Sequence, residues 1–156
     1  MSLISPKTAL VSLSDKSNLD QLIEFLVNQE VKIISTGGTY NAIKEITDEV
    51  LEVSEFTGFD EMMDGRVKTL HPKIHAGILA RRETDKEVLA DRGFEVIDIV
   101  IVNLYPFQET IASNCSFEEA IEKIDIGGPT MIRAAAKNFK DVAVVTDTNN
   151  YSFPSS

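Results

Sequence analysis

The amino-acid sequence predicts a single α/β domain built on a doubly wound, mainly parallel sheet. Short apolar runs typical of buried strands, the clearest of them at residues 97–102, alternate with segments whose apolar residues recur at helical spacing. The succession of strand, helix and strand implies parallel pairing, because the helix carries the chain back to the same end of the sheet. The 156 residues suit one domain, and no internal repeat, low-complexity tract or linker interrupts them.

The first half of the chain alternates strand and helix. Leu19, Leu22, Ile23 and Leu26 recur at helical spacing, after Ser and Asp residues that can cap a helix. The predicted elements are, in order, a strand over 8–14, a helix from 19, a strand over 31–35, a helix after the turn 36–39 and a strand over 50–53.

The second half begins with residues 57–72, whose weak periodicity predicts a long ordered loop with one short helix. Ser116 and Glu119 form a capping-box pattern that predicts a helix through Ile124. The remaining predicted elements are the strand over 97–102, a helix over 130–138 and a strand over 142–146. We therefore expect a domain over 1–150 and an unstructured tail over 151–156.

Composition excludes several classes of function. The chain has 25 acidic and 15 basic residues, a formal net charge of −10, so broad binding to nucleic acid or anionic lipid is not expected. Cys115 is the sole cysteine, which excludes an intrachain disulfide and a metal site of several cysteines. No apolar run approaches the roughly 18 residues of a membrane span, and the N-terminus lacks signal-peptide features, so we expect a cytoplasmic protein.

Two strand-to-helix turns favour binding of an anion. They are Ser12-Leu-Ser14-Asp-Lys16 and Ser35-Thr36-Gly37-Gly38-Thr39. In a parallel sheet such turns share one edge, helix N-termini offer free N–H groups there, and glycine allows close approach. Neither turn is a P-loop or a dinucleotide fingerprint, so a monophosphate fits better than a triphosphate or NAD. A turn without a ligand is the alternative for each.

Residues 64–75 are locally cationic, since Arg66, Lys68 and Lys73 outnumber Asp64. On charge alone, this pattern favours a solvated charged loop over a binding segment. Both histidines of the chain, at 71 and 75, also lie here. Pro72 stands between them and no third ligand is evident, so we expect structural or substrate-positioning histidines and no metal.

Two further motifs follow predicted strands or precede a helix. Asn103-Leu-Tyr105 ends the strongest strand, where function concentrates, although a capping turn with a packed aromatic is the alternative. Asp125-Ile126-Gly127-Gly128 precedes a helix and repeats the pattern of an anion or oxyanion site. Arg133 and Lys137 share one face of that helix, which could also be a solvated face.

Together these motifs resemble the IMP (inosine monophosphate) cyclohydrolase domains of bifunctional purine biosynthesis proteins. The matching segments run in order along nearly the whole chain, at 14–16, 35–39, 65–72, 75–80, 103–107 and 125–138. The resemblance implies a methylglyoxal-synthase-like fold and cyclisation of 5-formamidoimidazole-4-carboxamide ribonucleotide (FAICAR) to IMP with loss of water. It implies no metal or organic cofactor.

The resemblance also implies roles for individual residues. Lys137 would be the principal proton donor and acceptor, Tyr105 and Asp125 would tune and relay, and Lys68 would stabilise developing negative charge. Residues implied at the ribose phosphate and nearby are Ser12, Ser14, Lys16, Ser35, Thr36, Gly37, Gly38, Thr39, Arg66 and Thr69. Residues implied at the base are Asn103, Ile126, Gly127 and Gly128.

Two other activities occur on the same kind of fold. Methylglyoxal synthase eliminates phosphate from dihydroxyacetone phosphate, and a regulatory module like that of carbamoyl phosphate synthetase binds nucleotides without reacting them. The segments 64–75 and 125–138 favour the cyclohydrolase. Full-length members of that family dimerise and carry a C-terminal transformylase domain, which we expect this chain to lack.

Overall fold

The computed structural model describes residues 5–104 and 106–152. Its strands are β1 (Thr8–Leu13), β2 (Lys32–Ser35), β3 (Val50–Glu52), β4 (Ile99–Asn103) and β5 (Ala143–Val145). They form one sheet in the order β3-β2-β1-β4-β5, and every pairing is parallel. The strand order reverses next to β1, as in other open α/β sheets that bind ligands beyond the carboxyl ends of their strands.

Helices connect and cover these strands. They are α1 (Leu19–Asn28), α2 (Gly37–Lys44), α3 (Val53–Thr57), α4 (Pro72–Leu79), α5 (Lys86–Arg92), α6 (Phe107–Ala112), α7 (Phe117–Glu122) and α8 (Gly127–Lys137). A 3-10 turn, Thr148–Asn150, follows β5. No helix of the described residues is both long enough and apolar enough to cross a membrane.

The three central strands, β2, β1 and β4, are largely buried on both faces, which explains why they read as short apolar runs. On one face, Leu22 and Ile23 of α1 and Ile43 of α2 pack in a cluster with Val11 of β1. On the other face, α3, α4 and α8 pack in a second cluster that includes Leu10 of β1. The prediction of a doubly wound parallel α/β domain is therefore confirmed.

Several elements differ from the sequence-based prediction. α3 begins at Val53, where a strand was expected to continue, and the region 58–71 after it is a loop. α4, α5 and α6 were not predicted, because each is short and only a few of its residues are buried. α8 begins at Gly127, three residues before the predicted start, since a Gly-Gly-Pro sequence gives little helical signal.

The amino edge of the sheet is tied together by polar side chains. The carboxylate of Asp98 accepts hydrogen bonds from the backbone N–H groups of Lys7 and Thr8 at 2.8 and 3.1 Å. Asn138, just after α8, donates to the carbonyls of Ile78 and Ala80, both at 2.9 Å. α8 therefore ends at the amino edge and begins at the carboxyl edge, where the strands end.

Loss of stability at mildly acidic pH is expected from His75 on α4. Burial lowers the pKa of His75, although a hydrogen bond with the Thr69 backbone partly offsets this, and Nε2 is buried without a partner among the described residues. The neutral ring is thus favoured in the folded chain. The contribution of neutral His75 to the free energy of unfolding is present above the unfolded pKa of about 6.5. It is lost as the pH falls through the lower folded pKa.

Urea unfolding of wild type and His75→Gln at about pH 7.5 and about pH 5.5 measures this effect, because the two proteins differ only in the presence of the His75 imidazole. The free energy of unfolding of wild type should fall more between the two values than that of the variant. Equal slopes for wild type and His75→Gln would refute the prediction.

Candidate functional site

A cleft of about 630 Å³ opens at the carboxyl edge of the sheet, a volume typical of small-molecule sites. Its floor is the ends of β1 and β2, with Ser12, Ser14 and Thr36. One wall is the loop before α4, and the other runs from α7 to the start of α8. The wall residues are Asp64, Gly65, Arg66, Lys68, Thr69, Leu70, Ile121, Glu122, Lys123, Ile124, Asp125, Ile126, Gly127, Gly128 and Met131.

Two lysines converge on the first turn of α2. Lys68 Nζ lies 3.3 Å from the point where a Cβ of Gly37 would stand, and Lys16 Nζ lies 4.0 Å from the corresponding point at Gly38. Gly37 has a φ of 59°, a left-handed conformation that favours glycine. Two ammonium groups and the N-terminus of a helix thus surround one small volume, an arrangement suited to binding a phosphate.

The hydroxyls of Ser35 and Thr39 are engaged inside the fold. Ser35 Oγ donates to the carbonyl of Val11 at 2.6 Å. Thr39 Oγ1 accepts from the N–H of Leu13 at 2.9 Å and donates to its carbonyl at 3.1 Å. Both residues are buried and neither lines the cleft. They hold the glycine turn against β1, so their geometry suits a supporting role better than the predicted direct contact with phosphate.

Thr36 does line the cleft, but its hydroxyl donates to Glu52 Oε1 at 2.9 Å. Asn103 lies just below the cleft. Its Oδ1 accepts from the N–H groups of Ser14 and Asp15 at 2.6 and 2.9 Å, and its Nδ2 donates to the carbonyl of Asp15 at 2.7 Å. The amide therefore holds the turn that carries Lys16, and Asn103 is not among the residues that line the cleft.

The start of α8 is tightly packed against the opposite wall. Asp125 Oδ1 accepts from the N–H of Gly128 at 3.0 Å, which caps the helix. A Cβ at Gly127 would stand 2.5 Å from Thr69 Oγ1, and one at Gly128 would stand 2.7 Å from Asp125 Oδ2. The close approach of Thr69 from the other wall favours glycine at position 127, and the close approach of Asp125 and Leu104 favours glycine at position 128.

Lys137 lies far from this cleft. It is the last residue of α8, ten residues after Gly127, which corresponds to about 15 Å along the helix axis. Asn138 next to it is bonded at the amino edge of the sheet. A single chain thus holds Lys68 and Lys137 at opposite edges, and the predicted grouping of the two lysines does not occur within it. Tyr105, a further predicted catalytic residue, lies outside the described residues.

The comparisons with known proteins agree with this architecture. The family model described as MGS-like domain matches residues 18–130. The chain belongs to the MGS-like domain family. The crystal structure of a protein called ForH covers 94% of this chain and 76% of its own, with a TM-score of 0.79 and 34% identity. The expected methylglyoxal-synthase-like fold of the domain is therefore confirmed.

Curated relatives of this MGS-like domain are longer proteins. The bifunctional purine biosynthesis protein PurH of Clostridium acetobutylicum is 57% identical over 147 residues, which are 93% of this chain. PurH of Clostridium botulinum strain Hall is 56% identical over the same length. The chain spans 30% of the length of each of these relatives.

The wall formed by α7 was not recognised from the sequence of the MGS-like domain. The capping box of Ser116 and Glu119 is present as predicted, but the pattern gave no indication that Glu122 and Ile121 face a cleft. α7 buries no side chain, and Ile121 and Ile124 stay largely exposed. Such exposed apolar residues on a short helix were the signal that could have marked it as part of a site.

The histidines of the MGS-like domain serve the segment that leads into α4. His71 Nδ1 accepts from the N–H of Lys73 at 3.0 Å and caps α4, while His75 is a partly buried residue of that helix. Across residues 5–104 and 106–152, no group of three or more His, Cys, Asp or Glu side chains is placed to hold a metal ion.

Proposed function

We propose that this MGS-like domain is an IMP cyclohydrolase of de novo purine biosynthesis, which closes FAICAR to IMP with loss of water. The observation that supports this most is the cleft with two different ends. Lys16 beside the first turn of α2 suits a ribose phosphate, the start of α8 with Asp125 suits a polar ring, and Lys68 among the lining residues supplies a further positive charge. Two bifunctional purine biosynthesis proteins named PurH match the chain over 93% of its length.

The proposed reaction makes simple demands on the site. The carboxamide nitrogen loses a proton and attacks the formyl carbon, whose oxygen gains negative charge and takes up that proton. The resulting hydroxyl then leaves as water with the proton of the formamido nitrogen, as a C=N bond forms between that nitrogen and the former formyl carbon. Both reacting groups sit on one ring, so the enzyme mainly fixes the reactive rotamer. The backbone at Ile126 and Gly127, at the positive end of α8, is suited to stabilise the developing oxyanion.

Proton transfer is proposed for Asp125 with Tyr105, and charge stabilisation for Lys68. Asp125 Oδ1 is occupied by the N–H of Gly128, so Oδ2 is the oxygen left to face the ring. Lys137 cannot reach a ligand in the cleft of its own chain, because about 15 Å of helix separates them. A proton-transfer role for Lys137 is therefore proposed only within a homodimer, in which the second copy supplies it.

A spectrophotometric assay of the purified chain with FAICAR tests the proposal. IMP should form faster than in buffer alone, and methylglyoxal should not form from dihydroxyacetone phosphate. The second substrate is included because the family name makes methylglyoxal synthesis the competing activity. A folded protein that produced methylglyoxal, or that left FAICAR at its uncatalysed rate, would overturn the proposal.

A further inference from the structure

One ion pair crosses the mouth of the cleft. Arg66 on one wall donates to Glu122 Oε1 on the other at 2.7 Å. The two residues are 56 positions apart in the sequence, and their side chains are 61% and 64% exposed.

Arg66 is carried on a small hairpin with its own internal bonds. The N–H of Met62 donates to the carbonyl of Val67 at 3.1 Å, and the N–H of Val67 donates back at 3.3 Å. Met63, Asp64 and Gly65 at its tip have φ values of 56°, 55° and 81°, and two successive non-glycine residues in this region are uncommon. The hairpin is thus a local unit, and the Arg66 side chain joins it to the opposite wall through Glu122.

The opposite wall is weakly held as well. α7 buries no side chain, and Glu122 is its last residue. The ion pair therefore joins two elements that each have limited packing of their own, and it does so directly over the cleft that Lys68 and Asp125 line.

We propose that the Arg66–Glu122 ion pair is a latch, which holds the cleft closed in the ligand-free chain. An incoming phosphate opens this latch when the guanidinium of Arg66 leaves Glu122 and binds the phosphate instead. An exposed ion pair shifts an equilibrium by about fivefold at most, so it biases the closed form without locking it. A phosphate offers arginine shorter, charge-assisted hydrogen bonds in a bidentate geometry and is the stronger partner. Glu122 is then a positioning residue that competes with the ligand for Arg66.

Hydrogen exchange of the ligand-free chain tests the closure itself. In Glu122→Gln, the amides of residues 62–67 should exchange about two- to fivefold faster than in wild type at low salt. Glu118→Gln removes the same charge from the same helix and should match wild type. Unchanged exchange in Glu122→Gln, or equal acceleration in both variants, would show that no latch exists.

Binding of IMP, measured by calorimetry, tests the competition and rests on the proposed function. Glu122→Gln should bind IMP about two- to fivefold more tightly than wild type, and high salt should remove the difference. Weaker binding in Glu122→Gln would overturn the competition, because Glu122 would then contact the ligand directly. The exchange experiment uses no ligand, so a failure of the cyclohydrolase assignment leaves its outcome interpretable.

Discussion

Replacement of Lys68 by methionine should lower kcat/KM for FAICAR cyclisation by at least about 100-fold, the usual cost of removing one preorganised donor from a charge-stabilising site. The Lys68 ammonium lies 3.3 Å from the Cβ point of Gly37, at the anion end of the cleft. Methionine keeps much of the side-chain volume, so the loss reports the charge. The cyclisation assay at several substrate concentrations measures it and separates kcat from KM.

Lys44→Met is the matched control, because Lys44 lies on α2 but is exposed and pairs with Asp48 at 3.4 Å on the surface. It should retain wild-type kinetics. A Lys68→Met protein within threefold of the control would remove Lys68 from the proposed site.

The same assay examines the proposed part played by Lys137. Lys137→Ala is expected to be impaired if a second copy supplies this lysine to the cleft. An equimolar mixture of Lys68→Met and Lys137→Ala chains should then regain part of the activity, since a mixed dimer contains one cleft with both lysines. Full activity of Lys137→Ala alone would dismiss Lys137 from the reaction.

Substitution of Gly127 by alanine should lower the free energy of unfolding by roughly 1–3 kcal/mol, the range for overpacking a closed site. The new methyl would meet Thr69 Oγ1 at 2.5 Å, and Thr69 is buried and β-branched, so its hydroxyl cannot swing aside freely. The walls of the cleft would be forced apart where they touch. Urea unfolding measures the loss, and cyclisation activity should fall with it.

A second substitution gives this prediction its sharpest check. Thr69→Ala removes the hydroxyl and leaves Cβ 3.8 Å from the new methyl, an ordinary contact. The double variant should therefore be as stable as Thr69→Ala alone, a coupling that two independent sites would not show. Gly38→Ala is the control for a glycine within a first helical turn, since its Cβ point has no neighbour closer than 4.0 Å. If the free energy of unfolding of the double variant fell by the sum of the two single losses, the steric explanation would be wrong.

The sheet could be predicted because its strands are buried on both faces and therefore carry unbroken apolar sequence. Residues 97–102 contain only one polar side chain, Asp98, and that carboxylate is satisfied by the backbone of Lys7 and Thr8. The short helices α4 to α6 could not be predicted in the same way. Few of their residues are buried, so no periodic pattern distinguishes them from loops.

The sequence by itself determined the parallel sheet, the glycine turn at Gly37 and the cationic character of residues 64–75, because apolar periodicity, glycine and charge are local properties of the chain. Only the tertiary structure decided which polar groups face that cleft. Ser35 and Thr39 share a motif with Gly37, yet their hydroxyls bond to β1, since a buried donor must find a partner within the fold. Likewise Lys68 and Lys137 were expected at one site, but Lys68 lies in the cleft and Lys137 lies ten residues along α8 from Gly127, because a helix advances about 1.5 Å with each residue.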